Sequence, residues 1–212
     1  MMMSSKFLRF FLAAVLLFSP LCISAQDKPD ALKEYRNKNY ENAVHICMDE
    51  IKVNPANMDS YVVLGWSLIK LGRYSEAAQW SEKAMEYSRT DMRVVENLGE
   101  SCYFLGDNAM AMKYFQMYAA SVPSGGAIDS VYYYMGEIYI SLGEYNNADI
   151  AITSALYHSP NSARWWSRLG YAREMAGSYK YALEAYEKSL QINPSYSEAS
   201  RGKSRVQARL GS

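Results

Sequence analysis

A repeated spacing of glycines constrains this chain more strongly than its composition does. A glycine preceded by an apolar residue occurs at positions 65, 99, 136 and 170, so that successive copies are 34, 37 and 34 residues apart. Seven residues after each one comes a second glycine, at 72, 106, 143 and 177. A period of this length predicts an array of similar units, each contacting only its neighbours, and not a single globular core.

Each repeated unit is predicted to be a pair of antiparallel helices, called A and B below. In the second unit, apolar residues follow helical spacing over positions 61–71, and Gly72 then stands where a left-handed residue ends a helix. Gly65 lies inside that helix, where glycine costs about 1 kcal/mol relative to alanine. Its recurrence in four units indicates that the two helices approach closely at that point.

The residue types at these positions resemble the tetratricopeptide repeat (TPR) family over roughly residues 27–210. In the fifth unit the resemblance is carried by Trp166, Leu169, Gly170, Ala182, Tyr186 and Pro194. It implies an all-α fold, a right-handed α-solenoid of antiparallel helix pairs with about five TPR units and a C-terminal capping helix. The expected boundaries are a truncated first unit at 26–57, units at 58–91, 92–128, 129–162 and 163–196, and the capping helix at 197–212.

One irregularity interrupts the period. Residues 123–126, with the sequence Pro-Ser-Gly-Gly, add three residues between the third and fourth units. A longer surface loop costs little free energy, so a tolerated insertion is one interpretation. The other is a hinge that changes the pitch of the solenoid at this point.

The first 25 residues have the pattern of a secretory signal peptide. Lys6 and Arg9 precede an apolar run over residues 10–18, and small residues before Gln26 offer a cleavage site. The run is shorter than the roughly 20 residues that a membrane span needs. We therefore expect an exported protein of the periplasm or cell envelope, without a stable membrane span after cleavage. The alternative is a retained N-terminal anchor.

Composition and motifs exclude several functional classes. The 22 basic and 22 acidic residues balance, whereas nucleic-acid-binding proteins usually carry a basic face. Nucleotide-binding, zinc-protease and C-x-x-C motifs are missing from the sequence, and His45 and His158 lie three units apart. We expect no enzyme activity, no cofactor and no metal. Cys47 and Cys102 fall in helices separated by a whole unit, which disfavours a disulfide.

The resemblance also implies that ligands lie along a concave groove lined by the A helices. The family's groove positions then predict an aromatic strip interrupted by carboxylates. The predicted partner-binding residues are Val62, Trp66, Ile69, Glu96, Glu100, Tyr103, Tyr133, Glu137, Arg164, Tyr171 and Glu174. Among them, the expected anchors are Trp66, Tyr103, Tyr133 and Tyr171, and Glu100 and Glu137 are expected to set the charge preference. The alternative is that the aromatic residues pack against the neighbouring helix.

These expectations lead to a non-enzymatic adaptor or scaffold for protein–protein interaction. It would bind an extended segment or an amphipathic helix of a partner, with a preference for basic residues. Two alternatives remain open: a carrier of a small apolar ligand or lipid in the same groove, and a self-assembling homo-oligomeric scaffold of the envelope.

Overall fold

The computed structural model describes residues 29–211, which form eleven helices and no strands. The helices are α1 (Ala31–Arg36), α2 (Tyr40–Val53), α3 (Met58–Lys70), α4 (Tyr74–Tyr87), α5 (Met92–Phe104), α6 (Asn108–Ser121), α7 (Ile128–Ser141), α8 (Tyr145–His158), α9 (Ala163–Met175), α10 (Tyr179–Ile192) and α11 (Ser197–Leu210). The predicted signal peptide lies outside the described residues. Within them, no helix combines the length and the apolar character needed to cross a membrane.

The helices stack as five A–B pairs followed by α11. The A helices α3, α5, α7 and α9 have 13 or 14 residues, whereas α1 has only six. Helix α1 begins late because Pro29 precedes it and the Asp30 side chain accepts a hydrogen bond from the backbone N–H of Lys33 at 2.9 Å. Each A helix packs against its own B helix, and each B helix packs against the A helix that follows it. The predicted all-α solenoid is therefore confirmed.

The second set of glycines has the role that its spacing predicts, and the first set has it in three of four units; at Gly65 the close neighbour is instead Asn97 of the next A helix. The backbone φ angles of Gly72, Gly106, Gly143 and Gly177 lie between 73° and 82°, the left-handed region that ends a helix. Within the helices, a Cβ added at Gly170 would lie 2.7 Å from the ring of Tyr186. Glycine at this position therefore lets an aromatic residue of the B helix pack directly on the backbone of the A helix.

The insertion loop, residues 123–126, folds back toward the third unit. Gly125 and Gly126 have φ angles of 75° and 56°. The backbone N–H of Ala127, at the end of the loop, donates a hydrogen bond to the hydroxyl oxygen of Tyr118 at 2.9 Å. The loop is thus held against α6, and Gly126 has no room for a side chain because a Cβ there would clash with that same hydroxyl group.

The two cysteines of the described residues are free thiols, as the sequence predicts. Cys47 is buried in α2. Burial raises the pKa of its thiol to about 12, so the thiolate is a negligible species at neutral pH. Cys102 in α5 is half-buried and packs at the edge of the third-unit core.

Candidate protein-binding groove

The candidate groove is the surface formed by the A helices. Two cavities lie side by side in its N-terminal part. The first has a volume of about 840 Å³ and lies beside the short helix α1, where it is lined by Leu32 and Val63 among others. The second has a volume of about 420 Å³ and is called the N-terminal pocket below. Its lining residues are Tyr35, Trp66, Ile69, Lys70, Arg93, Glu96, Glu100, Tyr118, Gly126 and Ala127.

Three of the predicted groove residues are buried in the chain alone, although Val62 and Ile69 still line the two cavities. Val62, Ile69 and Tyr133 have exposed fractions of 1%, 6% and 3%. The Tyr133 ring stacks on Trp165 of the next A helix with 5.0 Å between ring centroids, and Arg164 covers it at 5.3 Å. Tyr133 is therefore part of the groove wall and not an exposed anchor. The alternative, that aromatic groove residues pack against the neighbouring helix, describes this residue correctly.

The other three predicted anchors are half-buried, so each keeps part of its surface in the groove. Trp66 packs against Tyr35 of α1 with 5.7 Å between ring centroids. Tyr103 packs against Tyr134 of α7 at 4.8 Å. Tyr171 lies beneath the guanidinium group of Arg168 at 5.1 Å. These contacts fix the ring orientations and leave ring edges and faces that a partner could still contact.

Two of the four predicted carboxylates are neutralised within the chain. The guanidinium group of Arg168 donates two hydrogen bonds to Glu137, at 2.6 and 2.9 Å. Arg205 of the capping helix donates two to Glu174, both at 2.7 Å. A bidentate pair of this kind fixes both side chains. Glu137 was expected to set a charge preference for a partner, and its pairing with Arg168 means that a basic partner residue would have to compete with this contact.

The other two carboxylates, Glu96 and Glu100, have no such partner. Glu100 accepts a hydrogen bond from the Tyr134 hydroxyl at 2.9 Å, which leaves its negative charge in place. Across residues 29–211, neither carboxylate forms a salt bridge with a basic side chain within 4 Å. Lys70 and Arg93 do line the N-terminal pocket, but Arg93 is engaged with Asp59 and Asp91 at 2.8 and 2.7 Å.

The environment of Glu96 disfavours its ionised form. Burial, followed by repulsion from Glu100, raises the pKa of Glu96 to about 7. The nearby Trp66 indole and the charge of Lys70 act in the opposite direction and only partly compensate. A positive charge that entered the pocket would therefore favour the ionised carboxylate.

Sequence reasoning missed the parts of the pocket that come from outside the A-helix register. Tyr35 belongs to the truncated first unit, Tyr118 to a B helix and Ala127 to the residues after the insertion loop. Their positions depend on how α1 and the loop fold back, which no repeat pattern specifies. No group of three or more potential metal ligands occurs among residues 29–211.

Comparison with known proteins identifies the repeat. Family models of the tetratricopeptide repeat match residues 59–91, 129–162 and 163–196. The chain therefore contains TPRs, and such repeats build scaffolds for protein–protein interaction. A curated relative, the general transcriptional corepressor trfA of Dictyostelium discoideum, is 23% identical over 150 residues. The match covers 70% of this chain and only 11% of the length of trfA.

Solved structures show the same fold. MamA superposes with a TM-score of 0.65 and 20% identity, covering 79% of this chain and 90% of MamA. YrrB, described as a TPR protein with an unusual peptide-binding site, gives 0.66 and 18%, covering 82% of this chain and 88% of YrrB. The APC/C hetero-tetramer Cut9–Hcn1 gives 0.74 and 19%, covering 83% of this chain and 35% of the other. Each is similar to this chain in fold.

Proposed function

We propose that the protein is an exported, non-enzymatic adaptor that binds a segment of a partner protein along the N-terminal half of its A-helix groove. The observation that supports this most directly is the pair of adjoining cavities along α1, α3 and α5, which share Tyr35, Trp66 and Arg93. Because they share these three residues, the two cavities adjoin one another along three successive A helices. Half-buried aromatic residues in its wall are of the kind enriched where partner proteins dock.

The C-terminal half of the groove is less suited to this role. There the carboxylates are engaged with Arg168 and Arg205, and Tyr133 is buried. A partner would have to displace these contacts before it could make its own. The likeness to YrrB supports a peptide ligand in this fold, although at 18% identity the likeness concerns the fold alone.

Site-specific photocrosslinking tests the proposal. A photoreactive amino acid replaces Lys70, which is exposed in the groove, or, in a matched control, Gln79, which is exposed on B helix α4. Crosslinking in whole cells is expected to capture a partner chain from the first position only. The captured chain is then purified, and its affinity is expected to fall with Trp66→Ala and to remain unchanged with Tyr157→Ala, a residue that is 85% exposed on α8. Equal capture at both positions would contradict binding in the groove.

Export is tested separately by sequencing the N-terminus of the protein isolated from its cells. Cleavage of the predicted signal peptide gives a mature chain that begins at Gln26 and is soluble in the envelope fraction. An intact N-terminus in the membrane fraction would instead identify the alternative, a retained anchor.

A further inference from the structure

The inference concerns what the N-terminal pocket recognises, and it rests on the groove-binding function proposed above. The two halves of the groove repeat the same positions. Glu100 and Glu137 each follow a repeated glycine, and each contacts the residue that stands two positions before the glycine of the next unit. For Glu137 that residue is Arg168, and for Glu100 it is Tyr134.

In the C-terminal half, the carboxylate at this position, Glu137, pairs with an arginine of the chain itself. The guanidinium group of Arg168 forms a bidentate pair with Glu137 and lies over the ring of Tyr171 at 5.1 Å. Carboxylate acceptors on one side and an aromatic face on the other match the planar guanidinium group better than they match the compact ammonium group of lysine.

In the N-terminal half, the acceptors and the aromatic walls are present, but residues 29–211 supply no arginine to them. Glu96 and Glu100 face the pocket together with Trp66, Tyr35 and Tyr118. The pocket's own arginine, Arg93, is turned to Asp59 and Asp91 on the side of the groove. The pocket volume of about 420 Å³ is ample for one long side chain.

We propose that the N-terminal pocket binds an arginine side chain of the partner segment, with Glu96 and Glu100 as its acceptors and Trp66 as its stacking surface. Charge complementarity selects this occupant: Glu96 and Glu100 repel one another and form no salt bridge within residues 29–211, so a cation between them is favoured and an acidic side chain is not. Their desolvation would also remain uncompensated beneath an apolar one. The guanidinium group would pair with these carboxylates, either in a bidentate contact with one of them or as a bridge between both.

A short probe peptide tests the pocket without knowledge of the partner. The probe is an acetylated and amidated pentapeptide with one central arginine flanked by alanines, and its control replaces arginine with citrulline, which is similar in shape and uncharged. Binding is followed by the indole N–H signals of the four tryptophans in ¹⁵N-labelled protein, with the Trp66 signal assigned through Trp66→Phe. The arginine peptide is expected to shift the Trp66 signal, and the citrulline peptide is expected to leave it unchanged.

Three variants with the same change in net charge locate the effect. Glu96→Gln and Glu100→Gln are each expected to weaken probe binding about tenfold, whereas Glu137→Gln in the other half leaves it within about twofold. Equal binding of the citrulline peptide, an equal loss in Glu137→Gln, or a Kd weaker than about 10 mM would overturn the proposal. If the probe fails while photocrosslinking at Lys70 still captures a partner, the arginine pocket is wrong and the groove function stands.

Discussion

The two halves of the groove share repeat positions but differ in how their carboxylates are partnered. Glu100 and Glu137 occupy equivalent positions on successive A helices, but one faces the hydroxyl of Tyr134 and the other the guanidinium group of Arg168. In the C-terminal half the resulting ion pairs tie adjacent units together. In the N-terminal half the carboxylate at the same position forms no salt bridge among the described residues and lines a cavity. A single residue per unit thus determines whether a carboxylate holds the solenoid together or is available to a ligand.

The pKa values of two groove carboxylates also differ according to whether the carboxylate has an arginine partner. Burial opposes ionisation at Glu174, but hydrogen bonds from Arg205 and Tyr186 outweigh it and lower the pKa. At Glu96 burial also opposes ionisation, the neighbouring Glu100 adds to it, and the pKa rises to about 7. The protein therefore gains stability from an ionised carboxylate in one half and loses stability from one in the other.

The largest effect is expected from breaking the pair that defines the C-terminal half. Arg168→Met keeps part of the packing on Tyr171 but leaves the Glu137 carboxylate, whose side chain is 13% exposed, without its partner. We expect the free energy of unfolding in urea to fall by about 2–3 kcal/mol, since a largely buried charge without a partner is costly. In Arg168→Met/Glu137→Gln, part of that loss should be recovered. A loss below about 0.5 kcal/mol would show that the pair does not stabilise the stack.

A second substitution gives Glu100 the same kind of partner that Glu137 has. Tyr134→Arg places a guanidinium group where Arg168 stands in the next unit, so it should neutralise Glu100 and weaken binding of the arginine probe by about tenfold. The matched variant Tyr134→Phe removes only the hydroxyl group that donates to Glu100, and the probe should bind at least as tightly as to the wild type. Circular dichroism checks that both variants fold, because Tyr134 also stacks on Phe115. Unchanged binding to a folded Tyr134→Arg would contradict the comparison.

How far the sequence predicted these features depends on whether they follow the repeat period. The helix pairs, the left-handed glycines and the capping helix do, since each is specified by residues at fixed spacing within one unit. The distinction between Glu100 and Glu137 does not follow from groove positions alone, because both are carboxylates at the same position. The two carboxylates differ because Glu100 contacts Tyr134 of the next unit and Glu137 contacts Arg168. Contacts between units are seen only in the three-dimensional structure.

The sequence left open whether Tyr133 is exposed or packs on the neighbouring helix, for a related reason. Its place on the A helix was predicted correctly, but its exposure depends on Trp165 and Arg164 of the following unit, which cover the ring. The repeat pattern did not predict the N-terminal pocket either. Its walls include Tyr35 from a truncated unit and Gly126 from an irregular loop, and neither has an equivalent in the other units.

The smallest expected effect is a stability change in Glu96→Gln, and its sign depends on pH. The carboxylate faces Glu100, Asp129, Lys70 and the Trp66 indole, and its pKa is raised from 4.5 in the unfolded chain to about 7 in the folded one. The folded state therefore binds more protons between these values, and wild-type stability falls as the pH rises from 4.5 to 7. Glutamine stays neutral throughout.

We therefore expect Glu96→Gln to be more stable than the wild type by on the order of 1 kcal/mol at pH 8, a value reduced for partial access of water to the groove. The gain should shrink steadily as the pH is lowered and vanish near pH 4.5, as urea unfolding at a series of pH values would reveal. Glu137→Gln should show the opposite sign at pH 8, because it removes the partner of Arg168. If both substitutions stabilise or both destabilise the protein at pH 8, the two halves of the groove do not differ in the way their contacts indicate.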